Sequence, residues 1–178
     1  HIENLDRLVA ERTIQLEEAL ESIRRLSVSD PLTGVFNRHL FNERFPQELE
    51  RATRYGRPLC VVFCDIDHFK QINDRYGHAG GDTVLRHLSK AMSGGLRSDI
   101  DWLVRFGGEE FVLVLPETML EAAVGMAERL RARISTEKIA LGETGDITVT
   151  ASFGVAQFMP EDTLETLIKR ADAALYAA

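Results

Sequence analysis

The chain has 178 residues, 44% of them hydrophobic and 28% charged, with a formal net charge of −7. Such a chain is most simply one soluble globular domain plus an appendage, and its acidic balance argues against a protein that coats nucleic acid or an anionic membrane surface. No run approaches the roughly 20 apolar residues of a membrane span, and no signal peptide is visible, so a cytoplasmic domain is expected.

Residues 1–29 stand apart from the rest. Ile2, Leu5, Val9, Arg12, Leu16, Ala19, Ile23 and Leu26 fall alternately three and four apart, and all but Arg12 are apolar. That is the seam of a coiled coil, and its β-branched and leucine pattern suits a parallel dimer, weakened locally at Arg12. The alternative is a single amphipathic helix packed on the domain. "SVSDPLTG" stops the helix, and residues 30–178 form the second unit. There "NRHLFNERFPQELERATRYG" reads as a helix broken or kinked at Pro46. "PLCVVFCDID" is a continuous apolar run, hence a buried central strand. Its Cys60 and Cys64 lie an even number apart on one face, complete no zinc spacing, and read as free buried thiols. A short helix through "HFKQIND" precedes a loop, "RYGHAGG", and a helix from Asp82 to about Met92. "DWLVRF" and "EEFVLVL" form a hairpin. The following helix starts with a capping box, Thr118 with Glu121, and carries Leu120, Ala123, Val124, Ala127, Leu130 and Ile134 on one face. "ITVTASFGVAQF" is a strand, and a last helix is capped by Asp162 and Glu165. The order predicts an α+β fold, with helices on one face of a mainly antiparallel, ferredoxin-like sheet.

The hairpin turn holds an unusual pair of glutamates, in "VRFGGEEFVLVL". Gly107 and Gly108 suit a tight turn with positive φ. Glu109 and Glu110, taken alone, are a solvated strand edge. The buried strand, however, ends in Asp65 and Asp67. If the two strands are neighbours, carboxylates gather at one sheet edge and repel unless a cation sits among them. Magnesium commonly takes one or two carboxylates plus substrate phosphates. "HFK" beside them places Lys70 and a helix N-terminus where phosphate can bind. Together these features describe metal-assisted phosphoryl transfer. Neither a Walker-type loop nor G-x-G-x-x-G occurs.

"DPLTGVFNR", "DIDHFKQINDRYGHAGGD", "RFGGEEF", "TASFGVA" and "RADAALYAA" follow one another in an order and spacing that resemble the GGDEF-domain diguanylate cyclases, here with GGEEF. The resemblance covers residues 30 to 178. It implies a nucleotidyl-cyclase palm-like fold and an enzyme, a nucleotidyltransferase of signal transduction, that condenses two GTP into cyclic di-GMP and two pyrophosphates across a homodimer. It implies Mg2+, with Mn2+ as an alternative, held by Asp65, the Ile66 carbonyl and Glu109. Glu110 becomes the general base, while Phe69, Lys70 and the His68 backbone meet the triphosphate. Asn73 and Asp82 read guanine, with His78 in the loop beside them. Guanine offers two N–H donors to a carboxylate where adenine does not, and mismatches of that kind are rejected by roughly 10⁴-fold or more.

Other residues take plainer roles. His39 and His87 are structural and Trp102 is core. Asp67 either supports the metal site or caps the next helix. Asp30 pairs with Arg38, and Arg105 reaches phosphates or balances carboxylates. In the family's frame for an R-x-x-D inhibitory site, Asp101 is present but Ser98 fills the arginine position, leaving Arg97 one residue out of register. The family's "ALYxA" normally continues to a lysine, so a longer natural chain, with an upstream sensor domain and a parent protein anchored to a membrane or not, is expected. Besides an active cyclase, a catalytically inactive nucleotide-binding receptor or scaffold and a plain dimerisation module remain open.

Overall fold

The computed structural model describes residues 2–26 and 28–176, with the side chains of 2–6, 8, 24–26 and 176 outside that description. Helix α1 spans Ile2–Leu26. Its seam positions Val9, Leu16 and Ile23 are 57%, 62% and 63% exposed, so the helix is not packed on the domain through them. Ile2, Leu5 and Leu26 of the same seam lie outside the described side chains. At the seam interruption, Arg12 donates to Gln15 on the helix surface.

The turn after α1 is built by Asp30, whose carboxylate accepts from the Thr33 amide and hydroxyl at 2.9 and 2.7 Å. Strand β1 (Phe36–Asn37) follows, and Asn37 caps α2 (Arg38–Tyr55) by accepting from the Leu40 amide. Helix α2 passes through Pro46 without the expected break. Phe41, Phe45 and Ala52, all buried, hold it to the sheet on both sides of the proline. Then come β2 (Leu59–Ile66), α3 (Phe69–Ser93), β3 (Trp102–Gly107) and β4 (Glu110–Pro116). Helix α4 (Leu120–Thr136), the small hairpin β5 (Ile139–Ala140) and β6 (Asp146–Ile147), strand β7 (Ala151–Gln157) and α5 (Leu164–Tyr176) complete the chain. The expected single strand through "ITVTASFGVAQF" is thus two, β6 and β7, in separate sheets.

The main sheet runs β1-β3-β4-β2-β7, antiparallel except for the β1–β3 pair. Helices cover both of its faces rather than the expected one. Cys60, Val62, Cys64 and Ile66 pack under α3 and α4, while Leu59, Val61 and Phe63 pack under α2 and α5. An uninterrupted apolar strand has no wet face, so each side of β2 needs its own cover. Both cysteines are free and buried.

Three helix details differ from the sequence reading. Met119 is the N-cap of α4 and makes no side-chain cap, and the Thr118 hydroxyl, expected to cap, is engaged with Arg97 and the Pro116 carbonyl instead. Leu120 and Val124 are exposed, so only Ala123, Ala127, Leu130 and Ile134 form the buried stripe of α4. At the start of α5 the reciprocal pair is Thr163 with Thr166, while Asp162 accepts from Met159 and Glu165 pairs with Lys169.

Candidate active site

Asp65 and Glu110 stand directly opposite each other in the β2–β4 ladder. They alternate in step with Phe63 and Val112, which places both on the α2/α5 side of the sheet. Glu109 lies in the two-residue turn, Gly108–Glu109, that joins β3 to β4. Neither Gly107 nor Gly108 has the expected positive φ. The ladder shifts between Arg105 and Gly107 instead, a bulge that re-aims the turn. A Cβ on Gly107 would lie 3.0 Å from Glu110 Oε2. Gly107 therefore makes room for a carboxylate rather than for an unusual dihedral.

Arg105 fixes this turn by donating to the Gly108 carbonyl at 3.0 and 2.8 Å and to the Asp30 carboxylate at 3.2 Å. Asp30 thus pairs with Arg105 and not with Arg38, and Arg105 is committed to the turn and to balancing that carboxylate. Arg38 lies over the ring of Phe106, 4.3 Å from its centroid.

On the other side of the sheet end, Asp67 accepts from the Thr150 and Ser152 hydroxyls at 2.6 and 2.7 Å. It does not cap α3, whose N-cap is His68, in the left-handed region at φ 57. A non-glycine residue held there is strained, and such strain gathers at functional sites. Phe69 is buried and Lys70 exposed. The expected loop "RYGHAGG" is a single break at Gly77 (φ 73, ψ 171), with helix resuming at once. A Cβ on Gly81 would fall 2.0 Å from Asn73 Oδ1 and 3.1 Å from Phe69 Cζ. The absent side chain lets the two arms of α3 meet, which brings Asn73 against the residue preceding Asp82. His78 sits on the surface just after the break.

Electrostatics mark the acid end. Burial pushes the Asp65 carboxyl up to about 6, with Glu109, Glu110, Asp67 and Asp172 adding like-charge repulsion. Burial also raises Glu110, helped by Glu109 and Asp172 and opposed by Arg38. Among the described residues, no hydrogen bond or ion pair satisfies Asp65, Glu109, Glu110 or Asp172. Among those residues, too, no three His, Cys, Asp or Glu side chains converge to hold a metal by themselves. Two carboxylates and a backbone carbonyl, completed by substrate oxygens, are what magnesium usually accepts, so the donor set fits.

Asp172, and the place of Arg38 beside Glu110, escape the sequence reading. Asp172 reaches the cluster because a Cβ on Gly154 would lie 2.0 Å from the Ala171 carbonyl oxygen and 2.4 Å from the Leu175 amide nitrogen. The backbone of α5 rests directly on β7 there. A lone glycine inside a strand signals such close approach, and that was the available hint. Elsewhere, His87 pairs with Glu137 at 2.7 Å between α3 and α4, and Trp102 is half-buried at the sheet edge against Phe36. Arg97 and Asp101 do come together, paired with each other, with the Arg97 side chain still 42% exposed. The Asp101 side chain is 0% exposed and accepts from the Arg97 amide and guanidinium. The same guanidinium donates to the Pro116 carbonyl at 2.7 Å and the Thr118 hydroxyl at 2.9 Å.

Comparison with known proteins places this geometry. Residues 27–178 match the family described as diguanylate cyclase, GGDEF domain. The chain is 44% identical over 160 residues to the diguanylate cyclase DgcP of Pseudomonas aeruginosa, covering 89% of this chain and 23% of that protein. It is 39% identical over 168 residues to the response regulator PleD of Caulobacter vibrioides, covering 93% and 37%. It therefore spans between about a quarter and a third or so of the length of these relatives. The crystal structure of the coiled coil and GGDEF domain of DgcB from Caulobacter crescentus, in complex with c-di-GMP, superposes with a TM-score of 0.81 at 30% identity. That superposition covers 97% of this chain and 93% of the DgcB chain. With its paired carboxylates at the end of β2 and the start of β4 and its GGEEF turn, the chain belongs to the GGDEF-domain family of diguanylate cyclases.

Proposed function

We propose that this chain condenses two GTP molecules into cyclic di-GMP. The observation that carries the reading is the Asp65–Glu110 pair, directly opposed in the ladder, without donors among the described residues, and flanked by Glu109 and by the N-terminus of α3. In this reading Asp65, the Ile66 carbonyl and Glu109 hold Mg2+, or Mn2+ in its place, which when bound supplies charge neutralisation for the phosphates. Lys70, Phe69 and the His68 backbone meet the triphosphate. Asn73, which lies against Gly81, and the adjoining Asp82 read guanine beside His78. Glu110 takes the proton of a ribose 3′-hydroxyl, and the freed oxygen bonds to the α-phosphorus of the second GTP. The bond from that phosphorus to pyrophosphate breaks, and pyrophosphate leaves with the electron pair. Two such steps close the ring. The raised Glu110 carboxyl suits proton transfer better than an ordinary glutamate would.

One domain offers one such site, so the reaction centre is shared by two chains. The exposed seam of α1 is the surface that raises the effective concentration of the second half. Residues 1–29 are then the dimerising helix and 30–178 the catalytic domain of a longer protein that carries a sensor upstream and places this domain in the cytoplasm. Incubation with GTP and Mg2+, followed by chromatography, should yield cyclic di-GMP and two equivalents of pyrophosphate; a chain that binds GTP without product is a receptor instead. Replacing Val9 and Leu16 by lysine should lower specific activity about tenfold or more at dilute enzyme and little at high concentration. Equal activity of wild type and variant at every dilution would refute assembly through α1.

A further inference from the structure

Arg38 is held beside the acid cluster by an aromatic ring rather than by an acid. The β1–β3 register pairs Asn37 with Arg105, which sets Arg38 next to Phe106. Its guanidinium lies 4.3 Å from the Phe106 centroid. That ring is fixed in turn by edge contacts with Phe41 (5.6 Å, 87°) and Phe63 (5.8 Å, 76°), and Phe41 stacks on Phe45. A stacked guanidinium is gripped by its flat face, so its N–H donors stay available. Arg97, Arg105 and Arg170 all spend theirs on carboxylates and carbonyls. Arg38, exposed at the start of α2, makes no hydrogen bond or ion pair with any described residue. It lies on the same side of the sheet as Asp65 and Glu110, and its charge acts on Glu110.

We propose that Arg38 is a phosphate-binding residue of the nucleotidyl transfer, its donors presented by the Phe106 platform to phosphate oxygens at the Glu110 side of the site. This rests on the cyclase reading above. Lys70 serves the phosphates from the α3 side, and Arg38 faces them from the α2 side, while Arg105 is engaged with the Gly108 carbonyl and the Asp30 carboxylate. Its planar fork matches two phosphate oxygens at once, and charge gathers on those oxygens as pyrophosphate departs.

The test compares wild type with Arg38→Ala, Arg38→Lys and Phe106→Leu, each first checked for an unchanged melting temperature. Calorimetry with inorganic pyrophosphate and Mg2+ reads binding without turnover, and cyclic di-GMP formation reads the reaction. Arg38→Ala should weaken pyrophosphate binding about tenfold and slow turnover about 10²-fold. Millimolar guanidinium should recover part of that loss, and lysine should recover little, since it can neither stack nor chelate. Phe106→Leu should give an intermediate loss, and Arg38→Ala should cost less in that background than in wild type. Pyrophosphate affinity and turnover both within about threefold of wild type would overturn the proposal. So would a loss of turnover with unchanged pyrophosphate affinity and no guanidinium rescue, which marks a merely structural arginine. Wild type that binds pyrophosphate through Arg38 yet makes no cyclic dinucleotide rejects the cyclase reading and leaves the phosphate assignment standing.

Discussion

Two aspartates at strand ends of the same sheet have opposite fates. Asp101, just before β3, has a side chain closed off from solvent and surrounded by donors, with the Arg97 amide and guanidinium on both of its oxygens. Asp65, at the end of β2, is partly buried, faces four other carboxylates, and receives no hydrogen bond from any described residue. Burial with partners makes a clamp that ties the start of β3 to Pro116 and Thr118. Burial without partners leaves charge that only a ligand can satisfy. The two corners therefore differ physically: one is a satisfied clamp, and the other gathers unsatisfied like charge, as the proposed chemistry requires.

The comparison is broken most forcefully by removing charge at the acid end. Glu109→Gln and Glu110→Gln preserve shape and should each slow cyclic di-GMP formation by about 10³-fold, with Glu110→Gln sparing GTP affinity more than Glu109→Gln does. Steady-state kinetics with a parallel binding titration separates the two. Near-normal rates in both would mean that the unsatisfied carboxylates are ornamental.

Stability should respond in the opposite sense at the two corners. Asp101→Asn removes an acceptor of several charged hydrogen bonds and should cost about 2 kcal/mol, or a melting temperature lower by about 4–8 °C. Asp65→Asn removes a carboxylate that nothing neutralises, so the metal-free chain should melt no lower than wild type, and slightly higher near neutral pH. A fall of equal size in both variants would erase the distinction drawn here.

A pH series sharpens the same point. The folded Asp65 carboxyl titrates near about 6, against an ordinary value of 3.8. Between those values the folded chain keeps a proton that the unfolded chain has released. The contribution of this group is thus fully present below about 3.8 and is lost as pH rises through about 6. Scanning fluorimetry in chelator should show a melting temperature that declines across this window. The decline should flatten in Asp65→Asn and shrink when Mg2+ is added to wild type. A flat profile in metal-free wild type contradicts the repulsion.

Much of this was legible in residue order, and the exceptions have physical causes. "VVFCDID" could be read as a central strand ending in acid because every inward position is apolar. The same continuity already called for helices on both faces, which the count of helices alone did not convey. Asn73 and Asp82 could be paired only by resemblance, since the approach of Asn73 to Gly81, next to Asp82, depends on the missing side chain of that glycine. Gly107 was legible as a turn residue, though for the wrong reason: the space it leaves is for Glu110. Asp172 and Arg38 are contributed by helices far away in sequence, and nothing local to either betrays the charge it faces. Thr118 resembles a helix cap by spacing, and only the fold shows Arg97 taking its hydroxyl.

The smallest expected effect is the most direct probe of the clamp. Many GGDEF domains bind product at an R-x-x-D site, and Asp101 occupies the aspartate position of that frame while Ser98 occupies the arginine's. The neighbouring Arg97 does not substitute for the missing donor, because its guanidinium is turned onto Asp101, Pro116 and Thr118. Ser98 offers only a hydroxyl, placed 3.4 Å from the Asp99 carboxylate. For a guanine edge to reach Asp101, at least one charged hydrogen bond must open, at about 1.5–3 kcal/mol. That weakens any ligand there by roughly tenfold to a hundredfold. Progress curves with and without micromolar cyclic di-GMP should therefore superimpose. Competition by product at the active site itself, if it emerges at higher concentration, should persist in Asp101→Ala. Strong inhibition that disappears in Asp101→Ala would show that the clamp opens and that Arg97 turns outward to take the ligand, making this corner, like the acid end, a site rather than a strut.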